Sequence, residues 1–464
     1  MSKMLEVVNP QTGERIEQVE LVGAEQMTEI VNSALSAQPL WEEMPLYERG
    51  EILYRFADLL EANGEQISQL SSQEMAKPIQ QARVETEDGI KLLRGAVERA
   101  KHLYGEVLAD NGPGFEKDLV FTRREPLGVI ACIIPFNFPI ELTFQKIAPA
   151  LIMGNAVIVK APSSNPLAVL ALQKLADEAG IPSGVVKFLV CERNVLTECV
   201  LKNPQVAAIS MTGSTAAGKQ LTRDGADTLK RMFLELGGND AFLIFEDADL
   251  DKALDEMVNS RMENNGQVCC SSKRFLVQRS IYDALAEELI KRLKELPRGS
   301  AQDENAVVTA LVSEKAAAEV ESQIERTVSQ GARLAYGGMR EGARIEPTVL
   351  LDVSKDMDIA SNMEVFGPVF PLIPFDTEDE AVEIANNSVY GLSSGLMTKD
   401  MNRAFRVGRK LKAGAAVVNG SGGYRHLDQP FGGYKQSGIG REGLSISLEE
   451  FSYIKVYAMK GAFA

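Results

Sequence analysis

Histidine and tryptophan are nearly missing from this chain of 464 residues, which holds two of the first and one of the second. With only His102 and His426, far apart in sequence, and no CxxC pair, a zinc site of ordinary ligand spacing has nothing to be built from, and no metal is expected. Cysteine is scarce as well. The five present (Cys132, Cys191, Cys199, Cys269 and Cys270) are an odd, dispersed set, unlike the even count of a disulfide framework. No apolar run reaches the roughly 18 residues that a spanning helix needs, so no membrane partner is expected. The longest, near Leu127–Ile134, has the length of a strand. The N-terminal stretch MSKMLEVVNPQTGERIEQV is polar rather than signal-like, and the cytoplasm is the expected location. A basic surplus is also lacking. Lys and Arg total 49 against 65 Asp and Glu, a net charge of −16, which argues against a nucleic-acid partner. The acidic excess serves solubility and remains compatible with a small anionic substrate in a local basic pocket.

What is present is an ordinary soluble composition, with 45% hydrophobic and 25% charged residues, in a chain long enough for two or three domains. Apolar residues recur at helical spacing over Ala24–Ala37, Tyr47–Ala62 and Val84–Leu103. FTRREPLGVIACIIP (121–135) holds a β-branched run ending at a proline, which predicts a buried strand. Strand and helix then alternate: NAVIVKAP, a helix over 166–180 closed by Gly180, VVKFLV, a helix over VLTECVLKN, VAAISMTGS and a helix over AAGKQLTRDG. That rhythm produces a parallel, doubly wound sheet. A second series begins after Gly238 with FLIF, a helix over Leu250–Asn265, FLVQ, a helix over Ile281–Leu296, VFPLIPF and GAAVVNG, so two α/β domains share the chain. The tail LEEFSYIKVYAMK alternates like an edge strand, which needs a partner sheet.

Six short stretches carry candidate chemistry. GSTAAG (Gly213–Gly218) follows a strand and opens a helix, an arrangement that suits an anion, although an ordinary glycine turn reads the same way. Lys160 ends a strand in KAPSSNP, where it is either a ribose contact or simply solvated. Glu235, set among apolar residues in FLELGGND, is either a general base with a raised pKa or a paired structural acid. GQVCCSS offers a nucleophile after a polar turn, or two inert buried cysteines. Asn137, in PFNFP, is a candidate oxyanion donor braced by prolines and aromatics. MEVFGPVF places Glu364 and Phe366 on a Gly-Pro turn.

The order of these stretches, together with PFGGYKQSGIGRE near the C-terminus, resembles the aldehyde dehydrogenase superfamily from about Asn9 to the final strand. The resemblance implies an α/β fold with a Rossmann-type cofactor domain (1–104 and 125–237), a catalytic α/β domain (238–440) and a small β bridging element (105–124 and 441–464). It implies Cys269 as nucleophile, with Cys270 a neighbour bordering the substrate pocket. Asn137 would be the oxyanion donor and Glu235 the residue that activates water. Cofactor contacts would come from Pro135, Phe136, Lys160, Ser163, Gly213, Ser214, Gly218, Leu236, Gly237, Glu364 and Phe366. The expected reaction is NAD(P)-dependent oxidation of a small, anionic semialdehyde-type aldehyde to the carboxylate. The alternative is CoA acylation, whose enzymes typically lack the glutamate found here at 235. NAD-preferring members usually carry glutamate where Ser163 stands, so NADP is favoured over NAD. Many succinic semialdehyde dehydrogenases have an arginine where Gln145 stands, which leaves Arg425 and His426, in the loop GSGGYRHLDQ, as the candidates for an anionic tail; pairing of Arg425 with Asp428 is the structural alternative. A homodimer or homotetramer is expected from the same resemblance.

Overall fold

The computed structural model describes residues 3–110 and 112–463. Two large sheets organise it. In the first, Val186–Leu189, Ala156–Lys160, Val129–Ile133, Val206–Thr212 and Arg231–Glu235 lie side by side in parallel, and Gly438–Ile439 closes one edge in the antiparallel sense. Strands such as VIACI are buried along their whole length because helices cover both faces. By chain order the parallel strands run 3-2-1-4-5, so the order reverses at Val129–Ile133. Open α/β sheets bind ligands in the crevice beyond that switch point, and here the crevice collects the PFNFP and TGS turns.

The second sheet has seven strands, ordered Arg333–Tyr336, Thr348–Leu351, Val369–Phe375, Ser272–Gln278, Asp240–Ile244, Ser394–Met397 and Val417–Val418. All its pairs are parallel except the one that Arg333–Tyr336 makes. The segment Leu236–Asn239 carries the chain from one sheet into the other. No helix among the described residues is long and apolar enough to cross a membrane.

Several elements differ from the sequence reading. The run 121–135 is two strands, Leu119–Pro126 and Val129–Ile133, in different sheets, because Gly128 turns the chain with φ 117°. The expected helix at VLTECVLKN is a short α-turn, Arg193–Leu196, continued as a π-helix over Thr197–Leu201. The helix begun at Leu250 ends at Met262, three residues before the expected Asn265. A hairpin of Met4–Val8 with Arg15–Glu20 and a helix over Gly64–Met75 had no clear period in the sequence. The tail strand Ser452–Met459 finds its partner within the same chain, pairing with Leu119–Pro126, which in turn pairs with Val107–Leu108.

One buried ion pair positions the loop at Asn137. Lys77 and Glu85 are both fully enclosed and bonded to each other. Glu85 also accepts from the backbone N–H of Ile140 at 2.7 Å and of Glu141 at 3.3 Å, the first turn of the helix Pro139–Ile152. Lys77 Nζ sits 3.9 Å over the Phe138 ring. Replacing Lys77 by Met strands a buried charge, so K77M should lose about 3–5 kcal/mol of stability in urea unfolding, and K77M/E85Q should recover much of it.

Candidate active site

Cys269 stands just after a run of three residues with positive φ. Asn264, Asn265 and Gly266 all lie in the left-handed region, with φ of 45°, 53° and 78°. Asparagine and glycine are the residues that tolerate it. Side chains fix the turn. The Asn264 N–H donates to Gln81 Oε1 at 2.7 Å, and Asn265 exchanges two bonds with Thr309, at 2.7 and 3.0 Å. A Cβ on Gly266 would come within 2.4 Å of the Gly367 carbonyl oxygen, so the turn packs directly on the EVFGP segment. Buried Arg261 ties both together, donating to Val365 O at 2.7 Å and Val369 O at 2.8 Å.

Asn137 joins this turn. Its Nδ2 donates to Gln267 O at 3.0 Å, and its own carbonyl accepts from Asn264 Nδ2 at 3.0 Å. The bond to Gln267 O uses one of its two amide hydrogens. Lys273, one turn of chain beyond the nucleophile and fully buried, donates to Val268 O at 2.9 Å and also to Cys269 O. Sequence reasoning passed over it, since a lysine in SSKRF reads as a surface residue. Its signal was its position four residues after a cysteine.

The Cys269 thiol is lowered from its ordinary value, chiefly because the Cys270 thiol donates to it, with Lys273 and Arg425 adding positive charge. Cys270 is raised correspondingly, foremost by that same hydrogen bond. The two adjacent cysteines are therefore unequal: Cys269 is half-buried and shifted toward the thiolate, while Cys270 is buried and shifted toward the thiol. Val268, Cys270, Leu392 and Phe431 form a small apolar cluster with Phe138 and Cys269, giving the nucleophile an apolar collar.

Glu235 ends the strand Arg231–Glu235 with both carboxylate oxygens buried and without a hydrogen-bond partner. Burial raises its pKa well above the usual carboxylate range, and nearby Glu442 and Cys269 raise it further. Glu442 is bonded to buried Lys146 and has its second oxygen 3.6 Å from Arg425. Neither Glu442 nor Lys146 was singled out from sequence.

The remaining predicted residues gather at the switch-point crevice. Phe136 and Phe366 meet edge to face with centroids 5.9 Å apart. Lys160 Nζ donates to Ser163 Oγ at 3.2 Å. Ser214 caps the helix Thr215–Gly225 by accepting from Ala217 N–H, beside Gly213 and one turn from Gly218. Leu236 N–H is bonded to Ser437 O. Glu364 accepts from Gly238 N–H at 2.9 Å, and a Cβ on Gly237 would lie 2.3 Å from Glu364 Oε2, so a larger residue there would displace that carboxylate. Pro135 leads from the strand Val129–Ile133 into the loop.

Of the tail candidates, Arg425 and Gln145 come together, with Arg425 Nη2 donating to Gln145 Oε1 at 3.2 Å. The alternative pairing with Asp428 is not made, because Asp428 pairs with Arg99. His426 is exposed and bonded within its own loop, its Nδ1 accepting from Asp428 N–H at 3.3 Å.

Cys269, with its lowered thiol, Asn137 and the buried, unpartnered Glu235 thus stand beside a Rossmann-type crevice. The sequence matches the aldehyde dehydrogenase family over residues 1–457, and the chain belongs to that family of enzymes. It is 37% identical over 457 residues to the mitochondrial succinate-semialdehyde dehydrogenase of Arabidopsis thaliana, covering 98% of this chain and 86% of the relative. To the 3-sulfolactaldehyde dehydrogenase of Pseudomonas putida it is 37% identical over 458 residues, covering 98% and 93%. The crystal structure of glyceraldehyde-3-phosphate dehydrogenase GapN from Methanocaldococcus jannaschii DSM 2661 complexed with NADP superposes with a TM-score of 0.94 at 33% identity, covering 99% of both chains.

Because the Cys269 thiol is lowered, alkylation by iodoacetamide should reach half its maximal rate below the ordinary thiol value of about 8.5. The pH profile of inactivation measures it. Substitution of Lys273 by Met should move the midpoint upward, because it removes a positive charge that favours the thiolate.

Proposed function

We propose that the protein oxidises a small aldehyde with an anionic tail to the carboxylate, using NADP in preference to NAD and releasing product by hydrolysis. The observation that carries the hydrolytic step is Glu235, a buried carboxyl with no hydrogen-bond partner, near enough to Cys269 to feel its charge and raised well above the usual carboxylate range. The tail class is supported by the relatives' names: succinate semialdehyde, sulfolactaldehyde and glyceraldehyde 3-phosphate bear a carboxylate, a sulfonate and a phosphate.

The crevice fits a dinucleotide. A capped helix N-terminus stands at Gly213 and Ser214, Lys160 and Ser163 converge at a strand end, and Glu364 sits across Gly237. When bound, NADP supplies the hydride acceptor. Ser163 brings a neutral donor where a carboxylate would repel a 2′-phosphate, and the named relative crystallised with NADP agrees with that preference. Lys160 would hold the adenosine ribose and Glu364 the nicotinamide ribose, with Phe366 packed beside the nicotinamide.

Within the protein's own groups, the Cys269 thiolate attacks the aldehyde carbon to give a thiohemiacetal. Its oxyanion is held by Asn137 Nδ2 and by the Cys269 N–H. After oxidation the acyl group rests on Cys269 as a thioester. Glu235 takes a proton from water, which attacks that carbonyl, and the thiolate leaves with the carboxylate released. No observation favours transfer to CoA.

The domain division at 104/125, 237 and 440 is proposed on the same basis. The three-stranded sheet exposes Val107 (73%), Ile454 (61%) and Val456 (57%), more apolar surface than an isolated edge comfortably leaves to water. We assign that sheet to contact with a second copy, in a homodimer or homotetramer.

Substitution of Glu235 by Gln should lower steady-state turnover by about 10²–10⁴-fold while leaving the first equivalent of NADPH formed in a rapid burst. A mutant with full turnover would remove Glu235 from the hydrolytic role. For the cofactor, kcat/KM with NADP should exceed that with NAD, and S163E should shift the ratio toward NAD by about tenfold or more through like-charge repulsion. An NAD preference of tenfold or more in the unmodified protein would overturn the NADP assignment.

A further inference from the structure

We infer that the segment 74–85 registers three parts of the candidate site to one another, and that Glu74 within it is the positioning residue for the adenosine end of the cofactor. This rests on the dinucleotide reading of the crevice given above. The two loops at the crevice, PFNFP and KAPSSNP, each run directly into a helix, Pro139–Ile152 and Leu167–Ala179. Neither helix caps itself. The residues at the cap positions are Phe138 and Pro166, whose side chains hold no acceptor, so the first backbone N–H groups need one from elsewhere.

The same segment serves both. Glu85 accepts from the N–H groups of Ile140 and Glu141. Glu74, 1% exposed, accepts from Leu167 N–H at 2.7 Å with one oxygen and from Ala168 N–H at 2.9 Å with the other. A carboxyl group at a helix N-terminus is favoured by the helix dipole as well. Fully buried Asn165 then ties the two loops together, its Nδ2 donating to Phe136 O at 2.8 Å and its Oδ1 accepting from Ser164 Oγ at 2.7 Å. Glu74 thus fixes one end of the turn that carries Lys160 and Ser163, and Asn165 sets that turn against Phe136. The third part is the turn ahead of Cys269. Gln81 accepts from Asn264 N–H, and Thr309, already bonded to Asn265, donates its hydroxyl to Ala76 O at 2.6 Å. Ala76 is itself left-handed, with φ 58°, an uncommon conformation for alanine. Thr309 at Ala76 O and Ser72 Oγ at Lys77 O, 2.6 Å away, hold it there between the helices Gly64–Met75 and Ile79–Ala100.

The test takes two readings on the full-length protein: Kd for NADP by isothermal titration calorimetry, and the rate of Cys269 alkylation by iodoacetamide without cofactor, followed by mass spectrometry of its peptide. E74Q keeps one acceptor oxygen and turns an amide toward the other N–H, so Kd for NADP should rise by about tenfold while alkylation stays within about twofold. E74D, which retains the carboxyl group, should recover part of the affinity. N165A cuts the link to Phe136 and should weaken NADP binding in the same way. Q81A should do the reverse, changing the alkylation rate by about threefold or more and leaving Kd unaltered. General loosening of the fold would not separate the two readings. Urea midpoints show which variants fold, and if E74Q does not, N165A supplies the reading. A folded E74Q or N165A that binds NADP as the unmodified protein does overturns the assignment, as does any variant in which both readings move together. An unmodified protein that binds neither NADP nor NAD overturns the cofactor reading instead.

Discussion

Three successive left-handed residues ahead of the nucleophile are the constraint on which the site depends. Asn264, Asn265 and Gly266 force the chain out of the helix Leu250–Met262 and into the strand Ser272–Gln278 within a few residues. Conformations of this kind cost free energy and persist where surrounding structure over-determines them. Here Gln81, Thr309 and Arg261 do so from three different parts of the chain. The same turn holds Asn137 through Gln267 O, so Cys269 and Asn137 are fixed to one another rather than separately to the scaffold. A change at the turn would therefore disturb both groups together.

The two sheets meet in an unequal way. The first offers the C-terminal ends of its strands, where Phe136, Lys160, Gly213 and Glu235 stand. The second offers the N-terminal ends of its strands, just after Gly238, Cys269 and Glu364. A dinucleotide crevice needs the former, with loops opening beyond a switch point. The second sheet serves as a rigid back wall that delivers its reactive residues from incoming loops. Glu235 lies at the join, the last residue of one sheet before the chain crosses into the other. That placement explains why a carboxyl there is buried from both sides.

Much of this was legible because motifs and periodicity are local. The parallel sheet follows from the alternating strand and helix pattern, whereas its 3-2-1-4-5 order does not, and Cys269, Glu235 and Asn137 were singled out together by the resemblance, their settings alone leaving structural readings open. Features created by distant contacts were not legible. Nothing in SSKRF shows that Lys273 is buried against the Cys269 carbonyl, and nothing near Lys146 points to Glu442, 296 positions away. The run 121–135 reads as one strand because its β-branched half, VIACII, dominates the pattern, while the break depends on the positive φ of Gly128. Gln145 looked like the loss of a cationic clamp. Only folding brings Arg425 to its side chain and restores a cation at that place from another loop.

On the proposed assignment, electrostatics also orders the chemical steps. Cys269 lies close enough to the buried Glu235 that a charge on its sulfur disfavours the charge on the carboxyl. In the free enzyme the balance tips one way: Cys270 and Lys273 favour the thiolate, while burial and Glu442 favour a protonated Glu235. Both influences favour charge on the thiol rather than on the carboxyl. Once Cys269 carries an acyl group its charge is gone, and with it one of the influences holding Glu235 protonated. The carboxyl becomes easier to ionise at the stage when water must be activated. A base free to act earlier would place a second negative charge beside the thiolate that attacks, so the burial that appears to handicap Glu235 also keeps it out of the first half of the reaction.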